Sequence, residues 1–263
     1  MKKRALHPAT VIAASLAVAV IALPLIALLV KVPYSHLFSA LTADGSMAAV
    51  KLSLWTSIVA ALVSLLLGVP LAWWLSQTTM KIAHFIRPLI LAPIALPPTV
   101  AGLALLGLLS RHGLLGSAIY RATGWQMPFT TWAVIFAGIF IGMPFLILIS
   151  ESSFRQVPRD IEDAAVMDRA SDDQLLRLIA IPQARSGIIT GLALAWARIL
   201  GEFGATMMFA GSMPGSTQTW TLQIYQELDI NPDSAYALSF FMFAIAMAIV
   251  IILRKSLREA FAR

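Results

Sequence analysis

TWAVIFAGIFIGMPFLILIS, residues Thr131–Ser150, contains no charged side chain in twenty positions. Roughly 20 helical residues cross the ~30 Å hydrocarbon layer of a bilayer. The stretch is apolar on every side, so as a helix it has no face to offer to water. Working outward, comparable runs occupy Ile86–Ser110, Met47–Ser76 and Val11–Val30 upstream, and Ile188–Ala210 and Tyr236–Leu253 downstream. The whole chain of 263 residues is 59% hydrophobic and 12% charged, against about 25% charged in soluble domains. Lipid-exposed backbone must satisfy its own hydrogen bonds, which leaves helices as the spanning element for runs of this length. The sequence therefore predicts an all-α, polytopic transmembrane bundle of about six spans, forming a single domain over 1–263.

Lys and Arg set the orientation, because cytoplasmic loops carry their excess. With the N-terminus inside, the inner segments hold Lys2, Lys3, Arg4, Lys81, Arg87, Arg155, Arg159, Arg169, Arg177, Arg185, Arg254, Lys255, Arg258 and Arg263. The outer segments hold Lys31, Lys51, Arg111 and Arg121, and Arg198 falls within a run. Both termini are thus expected in the cytoplasm. The formal charge of +6 is explained by this flanking pattern, and no nucleic-acid partner is expected. The first run exceeds the 7–15-residue apolar core of a signal peptide, so it reads as a retained span. The chain has no cysteine, which excludes disulfides, Fe–S clusters and thiolate zinc sites.

No phosphate-binding G-x-x-x-x-G-K-[ST] loop, HExxH or GxSxG pattern occurs. The four histidines are scattered, and no metal site or catalytic group is expected. The chain is not expected to be an enzyme.

The longest polar stretch, residues 151–187, carries seven acids beside five arginines. Pro158, Asp160 and Ile161 mark a helix start with acids in its first turn. Ser171 is placed to cap a second short helix running to a break at Pro182. The segment reads as a helical hairpin at the membrane surface, or as an ordinary ordered loop.

Within the spans, Pro93, Pro97 and Pro98 interrupt the third run, followed by Thr99 and Gly102. Each proline removes a backbone donor, which is tolerated against other helices or a watery cavity. Either a pathway-lining broken helix or a packing kink fits. Arg198 and Glu202 are four residues apart, so on one helix they can pair. Charges inside a span face the bundle interior or water, and the pair reads either as glue between helices or as part of a gate. Gly201, Gly204 and Ala205 permit close helix approach. Residues 211–223 are polar and turn-rich, either a connecting loop or an outer docking surface.

Two stretches resemble a known family. Glu162-Asp163-Ala164-Ala165 through Met167, Asp168, Arg169, Ala170 and Ser171, ending in Ile181-Pro182, resembles the EAA signature of bacterial ABC importer permeases. The resemblance implies that these residues form a coupling helix seated on an ATPase subunit. Arg169 stands where that family usually has glycine, which implies a turn with ordinary backbone angles or a locally altered ATPase contact. The stretch Ala197–Thr219, with Arg198, Glu202, Phe203, Gly204, Pro214, Gly215, Thr217, Gln218 and Thr219, is similar to the molybdate permease branch, as is Leu96–Gly102. Sulfate and thiosulfate permeases share much of the Gly201–Gly204 region.

What the resemblance implies is the transmembrane subunit of an ATP-driven importer of a tetrahedral oxyanion, molybdate or tungstate, in a bacterial inner membrane. A second copy of the chain, two ATPase subunits that bind ATP and Mg, and an extracytoplasmic binding protein would be its partners. Pro97, Pro98, Thr99, Gly102, Arg198, Glu202, Phe203 and Gly204 would line the path or its gate. Pro214, Gly215, Thr217, Gln218 and Thr219 would form the outer docking surface. A sulfate permease and an ion-gradient transporter working through Glu202 are the rival readings.

Overall fold

A computed structural model describes residues 7–261. The side chains of residues 44, 159, 162, 166 and 254–261 lie outside the description, which leaves the expectations for Glu162 and for the basic residues at both termini outside the described residues. In chain order the helices are α1 (Pro8–Lys31), α2 (Leu37–Thr42), α3 (Asp44–Gln77), α4 (Ile82–Ala95), α5 (Pro98–Leu109), α6 (Gly116–Thr123) and α7 (Thr131–Phe154). They continue with α8 (Arg159–Met167), α9 (Asp172–Gln174), α10 (Ile181–Leu200), α11 (Gly204–Ala210), α12 (Trp220–Ile230) and α13 (Pro232–Phe261). Five are long and apolar enough to span a bilayer, and the bent pair α4–α5 makes a sixth if taken as one span.

The centre of the bundle is α7, packed between α3 and α10. Its contacts are close because small residues face its neighbours. Ile199 of α10 fills the notch at Gly138 and Gly142, where a Cβ would lie 2.8 and 2.4 Å from its side chain. Toward the other end Gly187 lies against Ser153. Val69, Leu75, Leu146, Ile147, Phe154 and Ile188 fill the space between the three helices. The outward faces stay apolar, with Leu62, Leu66, Leu148 and Ile189 exposed, as a lipid-facing surface requires. Helix α1 has no buried residue at all and touches the rest of the chain at α13.

The third run does not cross straight. It turns by 119° between α4 and α5, because Leu96 and Pro97 are extended and Pro98 starts the next helix. Pro98 at the first helical position costs no hydrogen bond there. The fifth run differs too. It ends as a helix at Leu200, and α11 starts only at Gly204.

No break occurs at Pro182. Residues Asp172–Leu200 form one continuous rod, because Leu175–Ala180 form a π-helical turn in which the Ile181 N–H donates to the Leu176 carbonyl five residues back. The widened turn accommodates the proline ring and its missing donor, the usual cost of an interior proline.

At the base of this rod α8 closes with Asp168 N–H donating to the Ala164 carbonyl and Ala170 N–H to the Ala165 carbonyl. Arg169 between them has φ 61°. This is the six-to-one closure that favours glycine in the left-handed position, and Arg169 occupies it, so the expected ordinary backbone angles are not found. Ser171 then opens the rod with a capping box: its hydroxyl accepts from the Gln174 N–H, and its own N–H donates to the Gln174 side chain. Arg169→Gly removes a left-handed penalty of about 1 kcal/mol. Amide exchange at Ala170 is expected to slow about fivefold, read by mass spectrometry, and faster exchange would contradict the assigned turn.

Candidate functional site

The two interruptions meet. Helices α5 and α11, each beginning just after a break, pack on one another. A Cβ on Gly102 would lie 2.5 Å from the Met208 Cβ and 3.0 Å from the Ala205 carbonyl oxygen, and a Cβ on Gly204 would lie 2.6 Å from the Pro98 Cβ. Both glycines therefore serve the crossing itself. Leu105, Leu109, Phe209 and Ala210 seal one side of it, with Ala101, Ile141 and Ala205 on the other. Pro97, Pro98 and Thr99 are exposed at the mouth of the bend.

Glu202 holds the second break together. Its side chain is only 3% exposed, and one oxygen lies 2.6 Å from Nη1 of Arg198. The other oxygen accepts the Ala205 N–H at 2.9 Å. The pair was expected along one helix face, but Glu202 lies beyond the helix end, and its own N–H donates to the Ile199 carbonyl. Arg198 thus sits at the C-terminus of α10 and the carboxylate at the N-terminus of α11, each where the helix dipole favours its charge. The Glu202 carbonyl accepts the Thr221 hydroxyl at 2.7 Å, and the rings of Phe203 and Tyr225 lie 5.2 Å apart, which ties the break to α12.

Behind Glu202 lies a small polar cavity of about 10 Å³, lined in part by Ser53, Thr56, Ser57, Thr206 and Thr219. That is of the order of one water's space. Ser53 accepts the Trp220 N–H at 2.7 Å, and Ser57 accepts the Trp196 indole N–H at 3.0 Å. These hydroxyls belong to no motif in the sequence, although residues 53, 56 and 57 have the spacing of one helix face. Glu202→Ala leaves Arg198 facing a half-buried site without its partner and removes a cap. A loss on the order of 2 kcal/mol is expected, seen as a lower unfolding midpoint in detergent, with Glu202→Gln intermediate. An unchanged midpoint with unchanged transport would refute the role given to the pair.

Of the outer docking candidates, Pro214 and Gly215 are exposed. Thr217, Gln218 and Thr219 are buried and cannot form the surface themselves. Thr217 turns inward to accept the Met213 N–H, and Gln218 pairs with Gln226. They brace the loop from below. At the other end, Asp163, Ala164, Met167, Asp168, Arg169 and Ser171 are exposed, and Ala165 and Ala170 half-buried. Helix α8 touches the π turn of the rod.

Two broken membrane helices crossed at glycines, an intramembrane ion pair and a projecting helical finger define a polytopic transport permease. Residues 45–263 match the family described as "Binding-protein-dependent transport system inner membrane component", and the chain belongs to that family. It is 36% identical over 231 residues to the molybdenum transport system permease protein ModB of Mycobacterium tuberculosis, spanning 88% of this chain and 87% of the relative. It is 31% identical to ModB of Escherichia coli, spanning 80% and 92%. Among solved structures, a bacterial ABC transporter involved in the import of the acidic polysaccharide alginate matches with TM-score 0.75 at 16% identity, over 95% of this chain and 94% of that one. That likeness concerns the fold.

Proposed function

We propose that the chain is the transmembrane subunit of an ATP-driven importer that carries molybdate, or its close analogue tungstate, into the cytoplasm. Two copies would enclose the path. Two ATPase subunits, holding ATP and Mg, would seat the α8 finger on the cytoplasmic side. A binding protein would deliver the anion beside Pro214 and Gly215. Both termini would be cytoplasmic, in keeping with the distribution of Lys and Arg. The substrate class is supported by the similarity to molybdenum permeases over most of their length.

The observation that carries the mechanism is the unbroken rod Asp172–Leu200. At ~1.5 Å per residue it reaches about 43 Å, from the base of the finger to the Arg198–Glu202 break. A displacement of α8 is transmitted along a stiff helix to the place where α5 and α11 cross. ATP binding would bias two arrangements of that crossing. Arg198, a third exposed, offers a cation along the path without enclosing the anion, so that it can leave.

The test is reconstitution of the chain with its ATPase and binding protein in proteoliposomes. Uptake of labelled molybdate that requires ATP and exceeds sulfate uptake supports the reading. Uptake driven by an ion gradient without ATP would overturn it.

A further inference from the structure

A second charged cluster lies away from the crossing, at the finger end of the bundle. Arg87 of α4 and Arg155, just past the end of α7, both contact Oε1 of Glu151, at 3.0 and 2.7 Å. Both also donate through Nη2 to the Leu75 carbonyl, at 2.8 and 3.2 Å. That carbonyl belongs to the last turn of α3, where cations suit the unpaired end of a helix. The cluster therefore joins α3, α4 and α7, and two guanidiniums against one carboxylate leave it with a net positive charge. The contacts engage Nε and Nη2 of each arginine and leave Nη1 outside them. The Arg side chains are 31% and 48% exposed.

These groups form one end of a cleft of about 310 Å³ whose remaining walls are Ile90, Leu91, Ile147 and Leu148. Leu91 and Leu148 are exposed on the outer face of the bundle. A cationic end that opens along an apolar wall matches a molecule with an anionic head and a hydrocarbon tail. A free oxyanion matches the arginines alone and gains nothing from the leucines. Basic pockets between helices at the cytoplasmic face select anionic lipid headgroups.

We propose that this cleft binds the phosphate headgroup of an anionic phospholipid from the cytoplasmic leaflet, with an acyl chain along Leu91 and Leu148; the choice of leaflet rests on the orientation given under Proposed function. The lipid would bind beside Arg155, at the root of the finger, and so stabilise the join between α4 and α7 on which the rod's movement acts.

The full-length protein is placed in phosphatidylcholine nanodiscs doped with phosphatidylglycerol, and the lipid it retains is weighed by native mass spectrometry. Enrichment of phosphatidylglycerol by about fivefold over its share of the disc is expected. Arg155→Gln and Leu148→Trp should each return it to that share, the second by filling the apolar wall while leaving every charge in place. Enrichment that survives both variants would overturn the site. Loss of the retained lipid to excess inorganic phosphate, with no preference between the two phospholipids, would overturn the lipid assignment in favour of a free anion. A cysteine placed at Met167 of this cysteine-free chain reports sidedness in intact cells. Labelling from outside would overturn the leaflet assignment and the orientation together, while the lipid preference is decided by the spectra.

Discussion

Leucine in place of Gly102 is expected to stop uptake, with a loss of more than about tenfold, while the chain still inserts and folds. The first added carbon already lies 2.5 Å from the Met208 Cβ and 3.0 Å from a backbone oxygen, inside any normal contact. Helix α11 has no room to retreat. It also packs on α7, its own Phe209 and Ala210 are fully buried, and its N-terminus is fixed by the Glu202 carboxylate. Overpacking of this kind typically costs about 1–3 kcal/mol. If the cost falls on one of two gate arrangements, about 1.4 kcal/mol already shifts their ratio tenfold. Alanine at 102 should give a smaller loss in the same direction. Gly107 lies on the same helix, and a Cβ there meets nothing within 4 Å, so Gly107→Ala should transport as the parent does. Near-normal uptake by Gly102→Leu, measured in proteoliposomes, would mean that the crossing yields freely and is no gate.

The spans were legible because their signal is cumulative: twenty apolar residues in succession have few alternatives to lipid. The bend before Pro98 was legible as an interruption, since proline acts on its own local backbone. Its 119° angle was not, because that depends on how α5 finds α11. The break at residues 201–203 has no proline. It exists because Glu202 leaves the helix to cap the next one, and a carboxylate that pairs along a helix has the same spacing as one that pairs across a helix end. Pro182 misled in the opposite sense, because a single π turn upstream absorbs it. Arg169 looked incompatible with a glycine-type turn, yet the turn forms, its left-handed cost being small beside the two carbonyls it satisfies. Polarity misplaced Thr217, Gln218 and Thr219 on a surface, whereas their hydroxyls and amide serve the loop's interior. The Glu151–Arg155 spacing was visible in sequence. Arg87, 64 residues away, could join them only through the packing of α4 on α7.

Arginine in place of Ala164 is expected to separate the membrane subunit from the ATPase proposed to dock on it, while leaving the fold intact. Ala164 is exposed on α8 and belongs to none of the buried clusters among the described residues, so the larger side chain has solvent to extend into. Arginine is also a good helix former, and α8 should persist. The small exposed side chain leaves room for the close contact that the proposed ATPase docking requires. Met167, 84% exposed one turn later, has the adaptable apolar surface such a contact uses. Inserting a charged, bulky group into a packed contact costs several kcal/mol when its charge is left unpaired, so association should weaken by more than about a hundredfold. Co-purification of the ATPase should fall away and ATP-dependent uptake with it. The unfolding midpoint of the isolated chain and the labelling of a cysteine at Pro214 from outside should stay as in the parent. Arg169→Gly alters the same finger without adding bulk and should keep the ATPase bound, which separates loss of the contact surface from loss of the turn. If Ala164→Arg retains its ATPase at parental yield, α8 is not the docking element, and the long rod from Asp172 to Leu200 must take its force from another part of the chain.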